Sequence, residues 1–317
     1  MKAAIVEGQG RTPAYADFPA PVPGEGERLV RVTAAALTQL ARGRASGAHY
    51  SASGAYPFVA GVDGVGRLDD GGRVYFLLPR PPYGAFAEET VVSAGQCLPV
   101  PDDLDDVTAA AIANPGMSSW AALVERARLA PGETVLVNGA TGASGRLAVQ
   151  IAKHLGAKKV IATGRNPEAL ASLAAVGADA TIALSADDAA LEQSFRDAFA
   201  ETVDVVLDYL WGRSAELLLL GAAKAGPKSV RVRFVQIGAA AGGQIALRAD
   251  VLRSAPIEIM GSGLGSVPGP RLAAAIGAVL AAAKPAGLQV AARAVPLAEI
   301  ESAWTAAEDA RRVVFVP

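Results

Sequence analysis

The chain has 317 residues, more than one domain usually holds, so two domains are expected. It is 51% hydrophobic, yet no apolar run is long enough to cross a bilayer, and a net charge of −2 gives no bulk electrostatic case for nucleic acid or an anionic membrane. The single cysteine, Cys97, excludes an internal disulfide. With His49 and His154 it forms no ligand-spaced cluster, so no metal is expected, and the default setting is the cytoplasm.

In chain order, residues 1 to about 113 read as mostly β. Met1–Val6 has a strand pattern rather than that of a signal peptide. Short apolar strands at 3–6, 29–34, 74–78 and 87–92 alternate with Pro/Gly loops. Gly61-Val62-Asp63-Gly64-Val65-Gly66 resembles a nucleotide fingerprint out of frame, but no helix follows, so its glycines are assigned to bulges or tight corners. A capped helix starts at 106–112, Pro115 is expected to interrupt it, and helix resumes over 118–128. Strands and helices then alternate. Strands are placed at 134–138, 159–163, 181–183, 203–207, 230–237 and 257–260, with helices at 146–155, 167–176, 187–200 and 213–224. Helices at 271–283 and 299–310 and a strand at 312–316 close the chain. The βαβ alternation predicts an open parallel sheet with helices on both faces.

The most informative segment is 134–145. A hydrophobic strand runs into Gly139-Ala140-Thr141-Gly142-Ala143-Ser144-Gly145, and a helix follows. Glycine is frequent here, at 34 of 317, so the spacing alone is weak and the strand–turn–helix context carries the reading. Gly139 permits the reversal, Gly142 leaves room for a pyrophosphate, and Gly145 lets the helix pack close. Helix-start amides then face the anion. The second strand ends at Gly164-Arg165-Asn166, with no Asp or Glu between Gly145 and Glu168. A carboxylate there would select NAD, whereas a guanidinium suits a 2′-phosphate, so NADPH is the expected cofactor; the alternative is a solvated loop charge at Arg165. His49 lies in a Gly-Ala-His-Tyr loop with no assigned role.

Several motifs in this order resemble the zinc-independent, zeta-crystallin-like quinone oxidoreductases of the medium-chain dehydrogenase/reductase superfamily. They are Gly61–Gly66 after Pro57, Gly84–Glu88, Ala110–Trp120, Asn138–Gly156, Gly177–Asp179, Val205–Asp208, Val235–Gly238 and Arg312–Val314. The resemblance implies an α/β fold: a Rossmann doubly wound parallel sheet domain (114–263) plus a GroES-like β-barrel catalytic domain (1–113 and 264–317), with the active site in the cleft. It implies that Gly139 to Gly145 hold the pyrophosphate, Gly164 and Arg165 flank the 2′-phosphate, Ile237 and Gly238 lie near the nicotinamide, and Asn114 and Ser118 approach it. Relatives with zinc carry Gly-His-Glu where this chain has Gly61-Val62-Asp63, and a cysteine run that is missing here. Many quinone reductases carry Asn and Asp where this chain has Thr38 and Ala41, and a lysine where it has Ala169.

The expected reaction is metal-free hydride transfer from NADPH to a quinone or similar small electrophile, with Tyr50 or Thr38 as hydrogen-bond donors to the substrate oxygen. Loop packing is the other reading of Tyr50. An alkenal or enone reductase is the alternative enzyme. A third reading, of another class, is an NADPH-binding sensor or RNA-binding protein with little catalysis. Relatives pair through the strand at 257–260 and the Gly261-Ser262-Gly263 run, so a homodimer is implied.

Overall fold

The computed structural model describes residues 1–317 except Tyr50, Ser53, 185–186, 226–230 and 307–310. Tyr50 and the ends of the expected 230–237 strand and 299–310 helix therefore fall outside the described residues. The chain divides into two compact units. One comprises Met1–Asn114, Ile276–Lys284 and Gln289–Pro317, and the other Pro115–Ala275 and Pro285–Leu288.

The first unit begins with β1 (Lys2–Val6), β2 (Ala14–Asp17), β3 (Glu27–Ala36), α1 (Gln39–Ser46) and β4 (Phe58–Val59). Four more strands follow: β5 (Asp63–Leu68), β6 (Arg73–Leu77), β7 (Glu89–Ser93) and β8 (Cys97–Pro99). β3 is the hub, pairing antiparallel with both β5 and β7, with a register shift between Val32 and Ala34. α1 interrupts a stretch read from sequence as β. Its signals are local: Thr38 is the N-cap, accepting from the Ala41 amide, and Gly47 closes the helix at φ +76°.

The glycines of the 61–66 segment are structural, as expected. A Cβ on Gly66 would lie 2.4 Å from the Arg31 carbonyl oxygen, and one on Gly64 would lie 2.8 Å from that of Ala34. At Gly84 it would meet the Val59 carbonyl oxygen at 2.0 Å. These strands can close on one another only where side chains are absent.

α2 (Asp106–Ala121) does not break at Pro115, which corrects the expected interruption. Proline removes one amide donor, but Ala109 to Ala113 are fully buried and hold the helix by packing. Ser118 and Ser119 both donate hydroxyls to the Pro115 carbonyl. The expected α-helical continuation is instead a π-turn over Ala122–Arg126, closed by Ala127 N–H to Ala122 O at 2.8 Å. Beyond it the buried Arg233 guanidinium takes the carbonyls of Ala127 and Arg128 and pairs with Glu133 at 2.5 Å, which satisfies helix-end acceptors that a straight helix would leave to solvent.

The second unit holds β9 (Thr134–Asn138), α3 (Ala143–His154), β10 (Lys159–Gly164), α4 (Pro167–Ala171), β11 (Ala180–Ala183), α5 (Asp188–Glu201) and β12 (Val205–Asp208). Then come α6 (Gly212–Lys224), β13 (Val232–Gln236), α7 (Ala249–Ser254), β14 (Ile257–Gly261) and α8 (Gly269–Ala282), whose residues from Ile276 onward are counted in the first unit. The expected 167–176 helix is α4 continued by a 3₁₀ segment, Ser172–Val176. The six strands are all parallel, in the order β11-β10-β9-β12-β13-β14. Chain direction across the sheet reverses between β9 and β12, the switch point where open α/β sheets bind ligands. Leu136, Ile161, Phe195, Phe199, Val206 and Phe234 pack between sheet and helices.

The chain returns to the first unit through β15 (Ala292–Pro296), not foreseen from sequence, then α9 (Ile300–Thr305) and β16 (Arg312–Val316). β15 pairs parallel with β16, and β16 pairs antiparallel with β3. Phe86 and Phe315 meet edge to face at 5.0 Å in this core.

Candidate cofactor site

β9 is buried along its whole length and delivers the glycine turn to the switch point. Gly139 sits at φ +87°, where a Cβ would meet Leu210 at 2.8 Å. A Cβ on Gly145 would lie 2.3 Å from the Gly139 carbonyl, so the helix touches the turn it grows from. Gly142 differs: it is exposed, its φ of −78° is ordinary, and a Cβ there meets nothing within 4 Å. No side chain caps α3, so its first amides are available to an anion. Ala140 is buried and its amide bonds the Thr163 carbonyl at 2.8 Å, while Thr141, Ala143 and Ser144 are half-buried.

At the end of β10, Gly164 is buried because Thr141 takes the space its side chain would need, at 2.4 Å. Arg165 is exposed and makes no ion pair among the described residues. Asn166 caps α4 by accepting the Ala169 amide at 2.9 Å, which fixes the backbone beside Arg165. Farther along the same edge, the Ile237 and Gly238 amides both donate to the Asp208 carbonyl, at 2.8 and 3.1 Å. A Cβ on Gly238 would lie 2.6 Å from the Tyr209 carbonyl oxygen.

Residues without an assigned role in the sequence reading lie beneath this edge. The fully buried Asp208 carboxylate accepts from Asn138 Nδ2 (2.8 Å), Leu210 N (3.0 Å) and Trp211 N (3.1 Å). Burial pushes Asp208 above the ordinary carboxylate range, against the pull of these donors. Tyr209 turns its hydroxyl to Ser119 at 2.9 Å, and burial pushes it up to about 12, so it is a neutral O–H near neutrality. Ser118, expected near the nicotinamide, donates to the Pro115 carbonyl and also neighbours Tyr209. The sequence signal for Asp208 was its place at a strand's C-terminal end.

Two expected residues belong to the other unit. Thr38 is buried as the cap of α1, its oxygen accepting at 2.9 Å and its own hydrogen unused by that bond. Asn114 donates to Asp63 at 2.5 Å. Asp63 is buried, which raises it to about 6 despite the Asn114 bond and the Arg312 charge, and burial with the nearby Asp63 charge keeps Tyr75 protonated. Among the described residues, no group of three or more His, Cys, Asp or Glu side chains is placed to hold a metal ion. No helix among them is long and apolar enough to cross a membrane.

An open glycine turn at the switch point of a six-stranded parallel sheet defines a dinucleotide-binding protein of the Rossmann class. Residues 143–284 match the zinc-binding dehydrogenase family. A probable NADPH-dependent quinone reductase of Emericella nidulans is 31% identical, covering 96% of each chain. Prostaglandin reductase-3 of Mus musculus is 31% identical over 63% of this chain and 54% of its own. The quinone oxidoreductase of Thermus thermophilus, solved alone and with NADPH, superposes with a TM-score of 0.83 at 30% identity over 100% of both chains. The chain belongs to the quinone oxidoreductase family of the medium-chain dehydrogenase/reductase superfamily, and it is an oxidoreductase with a Rossmann and a GroES-like domain.

Proposed function

We propose that this chain is an NADPH-dependent reductase that delivers hydride, without a metal, to a quinone or similarly electrophilic small molecule. The observation that carries the reading is the open space at Gly142 together with an exposed Arg165 that makes no ion pair among the described residues. A pyrophosphate needs the first, and a 2′-phosphate needs a cation where no carboxylate competes. The residue types fit that group. When bound, NADPH supplies the hydride and the protein supplies its position. Gly139 to Gly145 cradle the pyrophosphate, with Ala140, Thr141, Ala143 and Ser144 forming its walls. Gly164 and Arg165 take the 2′-phosphate; Ile237, Gly238 and Ser118 border the nicotinamide, as does Asn114.

The named activities of the Emericella and Thermus relatives support a quinone acceptor. Hydride transfer to a quinone leaves a hydroquinone anion that water can protonate, so no protein acid is required. Tyr50 and Thr38 are proposed as hydrogen-bond donors to the oxygen that gains charge. A second acceptor class, the conjugated alkene of an enal or enone, is retained because the likeness extends to a prostaglandin reductase. The proposal places the protein in the cytoplasm as a homodimer paired through β14, the edge strand of the parallel sheet.

Steady-state oxidation of NADPH with 1,4-benzoquinone and, separately, with a 2-alkenal tests both acceptors. Turnover with benzoquinone is expected. Tight NADPH binding with no oxidation by either acceptor would favour the sensor reading, and absence of binding would sink the cofactor assignment. Light scattering after size exclusion checks the dimer.

A further inference from the structure

The polar residues under the cofactor edge form one ordered chain of hydrogen bonds. Asp208 has no cation beside it in this network and is held by N–H donors alone. Its carboxylate can only accept, so the Asn138 amide must turn Nδ2 toward it. That leaves Asn138 Oδ1 facing Thr163, whose hydroxyl must then donate, at 2.8 Å. With its hydrogen used, Thr163 Oγ1 accepts the Gly139 amide at 3.0 Å. One buried charge thus fixes every donor and acceptor from β12 across β9 to β10, ending on the first glycine of the turn. Asn138 Nδ2 also reaches Ser214 Oγ at 2.9 Å, and Ser214 donates to the Trp211 carbonyl.

A second, independent observation lies at the other end of the chain. Trp211 adopts φ +59°, a conformation that bulky side chains rarely take. Its amide contacts both carboxylate oxygens of Asp208, at 3.1 and 3.2 Å, and the next residue, Gly212, has no room for a Cβ beside the Ala241 carbonyl at 2.9 Å. Such strain persists only where the surroundings over-determine it, and it concentrates at functional sites. The Asp208 backbone carbonyl meanwhile takes the Ile237 and Gly238 amides. The same residue therefore shapes both the pyrophosphate turn and the backbone assigned to the nicotinamide.

We propose that Asp208 is a positioning residue that, through Asn138 and Thr163, locks the pyrophosphate turn and the nicotinamide-side backbone into a single binding-competent arrangement. It touches neither cofactor nor substrate. The inference rests on the NADPH reading of this edge. Within it, the role of the carboxylate is to accept from Asn138, Leu210 and Trp211 together at Oδ1, which turns Asn138 Oδ1 toward Thr163.

Removing and restoring the acceptors tests this. Asp208→Leu takes the shared acceptor from Asn138, Leu210 and Trp211, whereas Asp208→Asn keeps an oxygen at Oδ1, where all three donors meet. Thr163→Val cuts the same line at its β10 end, and Thr163→Ser restores it. Asp208→Leu and Thr163→Val are each expected to weaken NADPH affinity roughly tenfold to a hundredfold, with KM raised and kcat lowered with benzoquinone. Asp208→Asn and Thr163→Ser are expected to bind within about threefold of wild type. Should Asp208→Leu fail to fold, the Thr163 pair carries the test. Asp208→Leu or Thr163→Val binding like wild type, or Thr163→Ser binding as weakly as Thr163→Val, overturns the proposal. A wild-type protein that does not bind NADPH overturns the cofactor reading instead, so the two failures are distinct.

Discussion

Two glycine-rich segments, 61–66 in the first unit and 139–145 in the second, look alike as strings and differ in what fills the space beside them. Around Gly64, Gly66 and Gly84 the missing side chains are replaced by backbone and side-chain atoms of neighbouring strands, at 2.0 to 2.8 Å from where a Cβ would stand. At Gly142 the missing side chain is replaced by nothing within 4 Å. A glycine that lets the protein touch itself supports the fold, whereas one that leaves the backbone open can admit a ligand. The second segment mixes both uses, because Gly139 and Gly145 are filled positions that hold the open one in place.

The largest effect expected from this contrast is at Gly84. Gly84→Ala puts a methyl group against the Val59 and Ala60 carbonyl oxygens, and should cost about 3 kcal/mol or more, read as a large fall in the urea midpoint. A midpoint within error of wild type would erase the contrast from the structural side.

A comparable effect separates the two buried carboxylates. Asp63 is raised to about 6 from an ordinary 3.8, chiefly by burial, so the folded state favours its neutral form. Stability from this group is therefore present below the ordinary value and is lost as pH rises toward 6. Relative to Asp63→Asn, wild type should gain about 2 kcal/mol of unfolding free energy between pH 7 and pH 4. Parallel pH dependence of the two proteins would show that Asp63 is solvated. Asp208 is raised in the same direction by burial, but three N–H donors oppose the shift.

How much of this was legible in the sequence differs between the units for physical reasons. The parallel sheet was readable because each buried strand is a short apolar run bounded by turn residues, and each helix repeats its apolar face; strands fell within one or two residues of their observed ends. The first unit was harder. α1 has only eight residues, two of them arginines and one a glycine, and little apolar periodicity, although its Thr38 cap and Gly47 stop were present in the sequence. Pro115 misled because local propensity yields to packing when the flanking alanines are fully buried. The glycine turn was readable from its strand–turn–helix context, and Gly164 and Arg165 from their place at the end of the second strand. Asp208, Asn138 and Thr163 had no assigned role, since their significance lies in meeting across three strands, with Asn138 and Asp208 separated by 70 positions.

Arg165→Glu probes the neighbouring subsite with a smaller effect. It should weaken NADPH roughly a hundredfold and NADH by no more than about threefold, read by fluorescence titration of both cofactors. Equal losses would show that Arg165 does not meet the 2′-phosphate.

The smallest perturbation is the most direct. Gly142→Ala adds one methyl group to open space at a backbone conformation alanine accepts. Thermal unfolding and NADPH affinity should be measured on the same preparation. An unfolding midpoint unchanged within about 1 °C, with NADPH affinity reduced about tenfold or more, is the predicted result. Unchanged affinity at unchanged stability would mean that no pyrophosphate lies against Gly142, and would contradict the assignment of this turn as the cofactor cradle.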